Sequence, residues 1–125
     1  ASNIAAKVYG LNILVKEIED NPHNVTRFLV ISKNNVGQTS DDKTSIMFSI
    51  KDRIGALHDM LVPFKKYKIN LTKIESRPSK KKAWDYYFFL DLAGHENQTN
   101  LKKALGELDI KCKFLKILGS YPRYE

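Results

Sequence analysis

The sequence NLTKIESRP, residues 70–78, predicts a strand whose side chains do more than fill a core. Leu71 and Ile74 break a strict alternation of polar and apolar residues, so the strand either contains a bulge or is covered on both faces. Pro78 lacks a backbone N–H group and should end the strand. Packing alone does not require an Asn, a Glu, a Ser and an Arg in one short strand. We therefore treat these residues as a candidate binding segment.

The segments on either side of this strand predict an α+β fold. Apolar residues recur with helical or strand periodicity in the order βαββαβ. This order is typical of the ferredoxin-like fold, a four-stranded antiparallel sheet with two helices on one face. Pro63, inside the first helix, should kink that helix or change its course. The predicted strands are Thr44–Ile50, Ile69–Ser76, Trp84–Leu92 and Cys112–Leu118, and the predicted helices are Gly55–Tyr67 and a second one that Asn97 or Thr99 could cap and that runs to about Leu108.

The third predicted strand carries large side chains on both faces. Tyr86 and Phe88 should face the helices, which leaves Tyr87 and Phe89 on the open face of the sheet. Exposed aromatic residues often mark a contact surface. We therefore expect the chain to form at least a dimer.

The residues before this fold form a separate, incomplete segment. A helix over Ile4–Tyr9 should end at Gly10, and Leu11–Ile18 and Val25–Ile31 have strand-like patterns. Such a partial α/β segment is too short to bury a core alone, so we expect a piece of a longer protein. We assign residues 1–32 to this segment, residues 33–43 to a polar linker and residues 44–125 to the βαββαβ domain.

Composition sets limits on the partners. The net charge of +7 favours anionic partners, but we interpret Lys80–Lys82 as a solvated hairpin loop and expect no nucleic acid. No apolar run is long enough to span a membrane, so we expect a cytoplasmic protein without a membrane partner. Cys112 is the single cysteine and fits a core position. Because the histidines, including His58 and His95, are scattered among polar neighbours, we expect surface positions, no metal site and no cofactor.

Several short stretches of this sequence match the motifs of one known family. They are Gly55–Leu57, Ile69–Pro78, Asp85–Asp91, Gly94–His95 and Leu118–Pro122 in the βαββαβ domain, and Ala5–Leu11 and Asn24–Phe28 before it. With these motifs, the residues from Thr44 onward resemble the regulatory ACT domain of prephenate dehydratases, including bifunctional chorismate mutase–prephenate dehydratases. The beginning of the chain resembles the end of the dehydratase catalytic domain in the same family. The resemblance therefore covers essentially the whole chain, although most of the catalytic domain is absent.

The resemblance implies L-phenylalanine as an effector that binds between two ACT domains. The N–H groups at the start of the first helix should hold its carboxylate, and Asn70 with nearby carbonyl groups should hold its ammonium group. From the residues alone, Gly55 could equally be a turn residue before a helix, and Asn70 could simply end a turn. Glu75 and Arg77 fit loop or interface geometry better than direct ligand contact. The implied site comprises Ile54, Gly55, Ala56, Leu57, Asn70, Leu71, Thr72, Ile74, Glu75, Ser76, Arg77 and Pro78.

The resemblance also implies that Thr26, Arg27 and Phe28 line the dehydratase active site, with Thr26 acting in the dehydration. Taken alone, Thr26 and Arg27 could be polar residues where a buried strand emerges. The site is incomplete in this chain because no further catalytic groups gather around it. We therefore predict no turnover by this chain alone.

Three functions follow from these observations. The first is a module that senses phenylalanine and mediates feedback inhibition of the conversion of prephenate to phenylpyruvate in L-phenylalanine biosynthesis. The second is the dehydratase activity of the parent enzyme, with prephenate or arogenate as substrate and the missing catalytic domain as partner. The third, a remote alternative, is an RNA-binding module of the same strand order. The segment from Trp84 to Phe88 lacks the glycines of that module's third strand and contains an acidic residue.

Overall fold

The computed structural model describes residues 2–20, 26–79 and 86–124. The chain divides into two compact units, Ala1–Ile31 and Ser32–Glu125. The predicted linker therefore belongs to the second unit, and its last two residues, Asp42 and Lys43, begin the first strand of the sheet.

The described residues of the first unit contain one helix, α1 (Asn3–Tyr9). The Ser2 hydroxyl accepts the N–H of Ala5 at 3.3 Å, and Gly10 ends the helix in the left-handed conformation that glycine tolerates, as predicted. The predicted strands are wrong over the described residues, since 11–18 and 26–31 form no strand. An apolar segment becomes a strand only when another strand pairs with it, and the described chain supplies none here.

The second unit confirms the predicted ferredoxin-like fold. Its four strands form one antiparallel sheet in the order β2-β3-β1-β4, so β2 and β4 are the edges. The elements are β1 (Asp42–Ser49), α2 (Ala56–Lys66), β2 (Leu71–Pro78), β3 (Tyr86–Ala93), α3 (Thr99–Lys111) and β4 (Phe114–Pro122).

The core lies between one face of the sheet and the two helices. Alternate residues of the central strands point into it, because successive side chains of a strand face opposite sides. The helices contribute residues at the spacing of an amphipathic face. The buried apolar side chains include Ile46 and Phe48 of β1, Leu90 and Leu92 of β3, Met60 and Phe64 of α2, and Leu101, Ala104, Leu105 and Leu108 of α3.

Several local predictions need correction. α3 begins after Gln98 without a side-chain cap, so neither Asn97 nor Thr99 caps it. α3 also runs on to Lys111, so Cys112 follows the helix rather than opening β4; burial, with a smaller contribution from Asp109, raises the pKa of its thiol. Pro63 does not end α2, which runs from Ala56 to Lys66, and the kink expected at Pro63 stays a prediction. Trp84 and the predicted Lys80–Lys82 loop lie outside the described residues.

The register of β2 supports a bulge, which was one of the two alternatives predicted for this strand; the other was cover on both faces. The pairing with β3 shifts between Leu71 and Lys73, which places an irregularity at Thr72. Pro78 is tolerated at the end of β2 because this strand lies at the edge of the sheet. On the open face, Tyr87 and Phe89 are half-buried rather than fully exposed.

Candidate functional site

A pocket of about 280 Å³ lies between the start of α2 and the beginning of β3. This volume is just below the roughly 300–1,000 Å³ that is usual for small-molecule sites. One chain therefore forms a small open cleft at this position. The lining residues are Ile50, Asp52, Arg53, Gly55, Ala56, Leu57, His58, Tyr86 and Phe88.

The start of α2 presents backbone donors to this pocket. Gly55 turns the chain into the helix with φ 74°, a left-handed conformation that favours glycine, and the space around its Cα is open. The N–H of Ala56 donates to the carbonyl of Arg53 at 3.1 Å. Among the described residues, no acceptor faces the N–H groups of Leu57 and His58. A helix start with free N–H groups favours an anion, such as a carboxylate.

Aromatic side chains form the opposite wall. Phe88 stacks on Phe48 of the core, with ring centroids 5.5 Å apart and planes at 21°. Tyr86 lies at the rim with 41% of its surface exposed. Both residues were predicted to face the helices, but neither was predicted to belong to the site. Tyr86 and Phe88 are two residues apart, so the sequence alone places them on the same face of β3. Their position beside α2 depends on the pairing of β3 with β1.

Charged and titratable side chains at the rim of the pocket already bond to one another. The Arg53 guanidinium contacts the Asp59 carboxylate at 2.6 Å, and His58 Nδ1 lies 3.3 Å from the same carboxylate. The hydrogen bond from Arg53, followed by that from His58, lowers the pKa of Asp59. His58 is exposed, as predicted for the scattered histidines.

The predicted β2 residues fall at two ends of the sheet. Arg77 pairs with Tyr87 and Pro78 with Tyr86, so the end of β2 lies at the same edge of the sheet as the pocket. Leu71 pairs with Leu92, and the carbonyl of Asn70 accepts the N–H of Ala93 at 2.9 Å at the far end. At roughly 3.3 Å per residue, the two ends of β2 lie about 23 Å apart. Within one chain, Asn70, Leu71 and Thr72 are therefore not brought to Gly55.

Glu75 and Arg77 share one face of β2 and pair with each other. Arg77 Nε lies 2.7 Å from Glu75 Oε1, and Lys73 Nζ lies 2.9 Å from Glu75 Oε2. Lys73 first and Arg77 second lower the pKa of Glu75 through these hydrogen bonds. Ile74 is half-exposed and Ser76 exposed, while Ile54, beside the pocket, is fully exposed.

The predicted catalytic residues are part of the first unit. Thr26, Arg27 and Phe28 form no helix or strand there and are exposed. In the described part of the chain, no group of three or more His, Cys, Asp or Glu side chains could hold a metal ion. No helix among residues 2–20, 26–79 and 86–124 is long and apolar enough to cross a membrane.

Family models divide the chain as its two units suggest. The model for the ACT domain matches residues 44–109. The chain belongs to the ACT-domain family. The prephenate dehydratase model matches residues 1–36, so the C-terminal end of such a domain precedes the ACT domain. We call residues 32–125 the ACT unit.

Individual relatives agree with this assignment. The chain is 58% identical to a bifunctional chorismate mutase/prephenate dehydratase from Aquifex aeolicus over 98% of this chain and 34% of the relative. It is 42% identical to the chloroplastic arogenate dehydratase/prephenate dehydratase 2 of Arabidopsis thaliana, over 98% of this chain and 35% of that one. The chain thus spans about a third of these relatives.

A solved structure extends the likeness to three dimensions. The prephenate dehydratase from Arthrobacter aurescens, in complex with L-Phe, superposes with a TM-score of 0.85 at 36% identity. The match covers 96% of this chain and 40% of that protein.

Proposed function

We propose that the ACT unit binds L-phenylalanine in the pocket at the start of α2. The observation that carries this proposal is the pairing of free N–H groups at Leu57 and His58 with an aromatic wall at Tyr86 and Phe88. An amino acid with an aromatic side chain offers a carboxylate for the first and a ring for the second. The L-Phe complex of the Arthrobacter aurescens relative supports the same choice of ligand.

A second copy of the chain would complete the site. β2 is an edge strand, so its outer N–H and C=O groups are free to pair with another strand. In an antiparallel pair of two β2 strands, Lys73 can lie opposite the partner's Glu75, which matches opposite charges. The same register places the partner's Asn70 opposite Pro78, at the end of the sheet that holds the pocket. Pairing therefore brings together the two groups of predicted site residues that one chain keeps apart.

In the parent enzyme, this binding would provide feedback inhibition of prephenate or arogenate dehydration. A ligand changes the activity of a distant site only if it binds two states of the protein with different affinity. Thr26, Arg27 and Phe28 would belong to the regulated active site, which the missing catalytic domain completes. The dehydratase activity then resides in the whole enzyme and the regulation in this unit.

Titration calorimetry with phenylalanine, tyrosine and tryptophan tests the proposal, and phenylalanine should bind most tightly. The matched variants are His58→Pro and His58→Ala. Proline removes the backbone N–H at a position in the first helical turn where it is tolerated, whereas alanine removes only the exposed side chain. Loss of one hydrogen bond to a charged group, about 1.5–3 kcal/mol, should weaken phenylalanine binding roughly ten-fold or more in His58→Pro.

His58→Ala should keep an affinity close to that of the original chain. Circular dichroism shows whether both variants retain the helix. Equal phenylalanine affinities in two folded variants would remove the N–H of His58 from the site, and no binding by the original chain would refute the proposed function.

A further inference from the structure

A buried histidine lies at the end of the ACT unit opposite the pocket. His95 follows β3, and only 2% of its surface is exposed. Its Nδ1 accepts the N–H of Asn97 at 3.1 Å. Nδ1 therefore carries no proton, and the neutral ring carries its proton on Nε2. Nε2 lies 3.3 Å from the carbonyl oxygen of Val36 and donates to it.

This hydrogen bond reaches the segment that joins the two units. Val36 belongs to residues 32–41, here called the connecting segment, which leads from the first unit to β1. The expectation that His95 is a surface residue is wrong, because the connecting segment lies against its ring. His95 thus ties the turn between β3 and α3 to the chain that precedes the sheet.

A second contact holds the connecting segment beside the same turn. The N–H and the hydroxyl of Thr39 donate to the Asp42 carboxylate at 2.7 and 2.6 Å. The bond from the Thr39 hydroxyl is the main cause of the lowered pKa of Asp42. The backbone carbonyl of Asp42 accepts the N–H of Gly94 at 2.8 Å. The connecting segment is therefore held at two points. His95 bonds to Val36, and Thr39 bonds to Asp42, whose carbonyl accepts from Gly94.

The same turn is bonded to the start of β2. The carbonyl of Asn70 accepts the N–H of Ala93, two residues before His95, at 2.9 Å. The Thr72 hydroxyl donates to the carbonyl of Asp91 at 3.3 Å. In the proposed pair, Asn70 lies opposite Pro78 of the other copy, at the end of the sheet that holds that copy's pocket. A short series of hydrogen bonds therefore links the proposed effector site to the connecting segment.

We propose that His95 is a positioning residue that couples phenylalanine binding to the connecting segment, through the contact of its Nε2–H with the carbonyl of Val36. This inference rests on the proposed function and adds the path by which phenylalanine binding affects the connecting segment. A ligand held by Asn70 of one copy fixes the end of β3 in that copy, and His95 passes this constraint to the segment leading to the dehydratase end. Coupling of this kind requires an element whose arrangement both sites bias.

Two variants separate this role from a purely structural one. The amide nitrogen of glutamine can take the place of Nε2 and still donate to Val36. The amide oxygen of asparagine can take the place of Nδ1 and still accept from Asn97, but its side chain is too short to reach Val36. His95→Gln should therefore keep the hydrogen bond to Val36 and hold the connecting segment in place. His95→Asn should keep only the hydrogen bond from Asn97 within the turn.

The experiment is amide hydrogen exchange of residues 33–41 in the chain, with and without saturating phenylalanine, with calorimetry on the same samples. In the original chain and in His95→Gln, phenylalanine should slow this exchange. In His95→Asn, exchange without ligand should be roughly five-fold faster, as expected for the loss of one hydrogen bond, and phenylalanine should no longer change it. Phenylalanine affinity should stay within a few-fold in both variants.

Two results would overturn the coupling while leaving the proposed function intact. One is unchanged exchange of residues 33–41 when phenylalanine binds the original chain. The other is a response to phenylalanine that persists in His95→Asn. Absence of phenylalanine binding to the original chain in the calorimeter would instead overturn both proposals, so the two failures are distinguishable.

Discussion

A side chain added at Gly94 should destabilise the fold, whereas a side chain added at Gly106 should stabilise it. Gly94 has φ 108°, and an added Cβ would meet the Gln98 side chain, whereas Gly106 lies within α3 with open space around it. Gly94→Ala should lower the free energy of unfolding by about 1–2 kcal/mol through backbone strain. Gly106→Ala should raise it by about 0.5–1 kcal/mol, because alanine favours the helix. Urea denaturation of both variants checks the pair; a Gly94→Ala variant whose free energy of unfolding is unchanged or raised would contradict the assignment of strain to Gly94.

Single residues also mark the limit of what the sequence predicts. The turn at Gly55 was foreseen as one of two alternatives, since a glycine before an amphipathic helix is a local signal. Tyr86 and Phe88 were not assigned to the pocket, because their place beside α2 depends on the register between β3 and β1. The burial of His95 was also missed: its polar neighbours in the sequence indicate a surface, whereas the fold brings the carbonyl of the distant Val36 to its ring.

At the scale of elements, β2 carries the proposed contact between copies. Ile74 is 50% exposed on this edge strand, and a lysine at an edge disfavours pairing with another strand. Ile74→Lys should therefore shift the chain to a monomer and abolish measurable phenylalanine binding, with a change in unfolding free energy within about 1 kcal/mol. Sedimentation velocity and calorimetry measure the two effects.

The control uses the other edge of the sheet. Ile117 of β4 is 37% exposed, so Ile117→Lys introduces the same charge on a strand outside the proposed contact. This variant should remain at least a dimer and bind phenylalanine. A monomer from Ile117→Lys, or a dimer from Ile74→Lys, would move the contact away from β2.

The elements themselves were predicted best where a periodic pattern has its partners in the same chain. All six elements of the ACT unit were foreseen, including the irregular β2. The two strands expected in the first unit are absent from its described residues, since apolar side chains there have no neighbouring strand. The length of α3 was underestimated because the apolar helical spacing ends at Leu108, and Ile110, which is 87% exposed, does not continue it.

At the scale of the whole molecule, each proposed effector site is formed by two copies of the chain. His58 supplies a donor from one copy, and the partner's Asn70 supplies an acceptor from the other. A variant altered at either residue alone loses both sites of its dimer. A mixed dimer of the two variants regains one site, because one of its two pockets then contains only unaltered residues.

Mixing the two inactive variants is therefore the most direct measurement. His58→Pro and Asn70→Ala, each binding phenylalanine poorly, are unfolded, refolded together at equal concentrations and titrated in the calorimeter. Since about half of the dimers are mixed and each of these has one intact site, about a quarter of the original sites should reappear with the original affinity. Binding no stronger than the average of the separate variants would contradict a site shared between two copies.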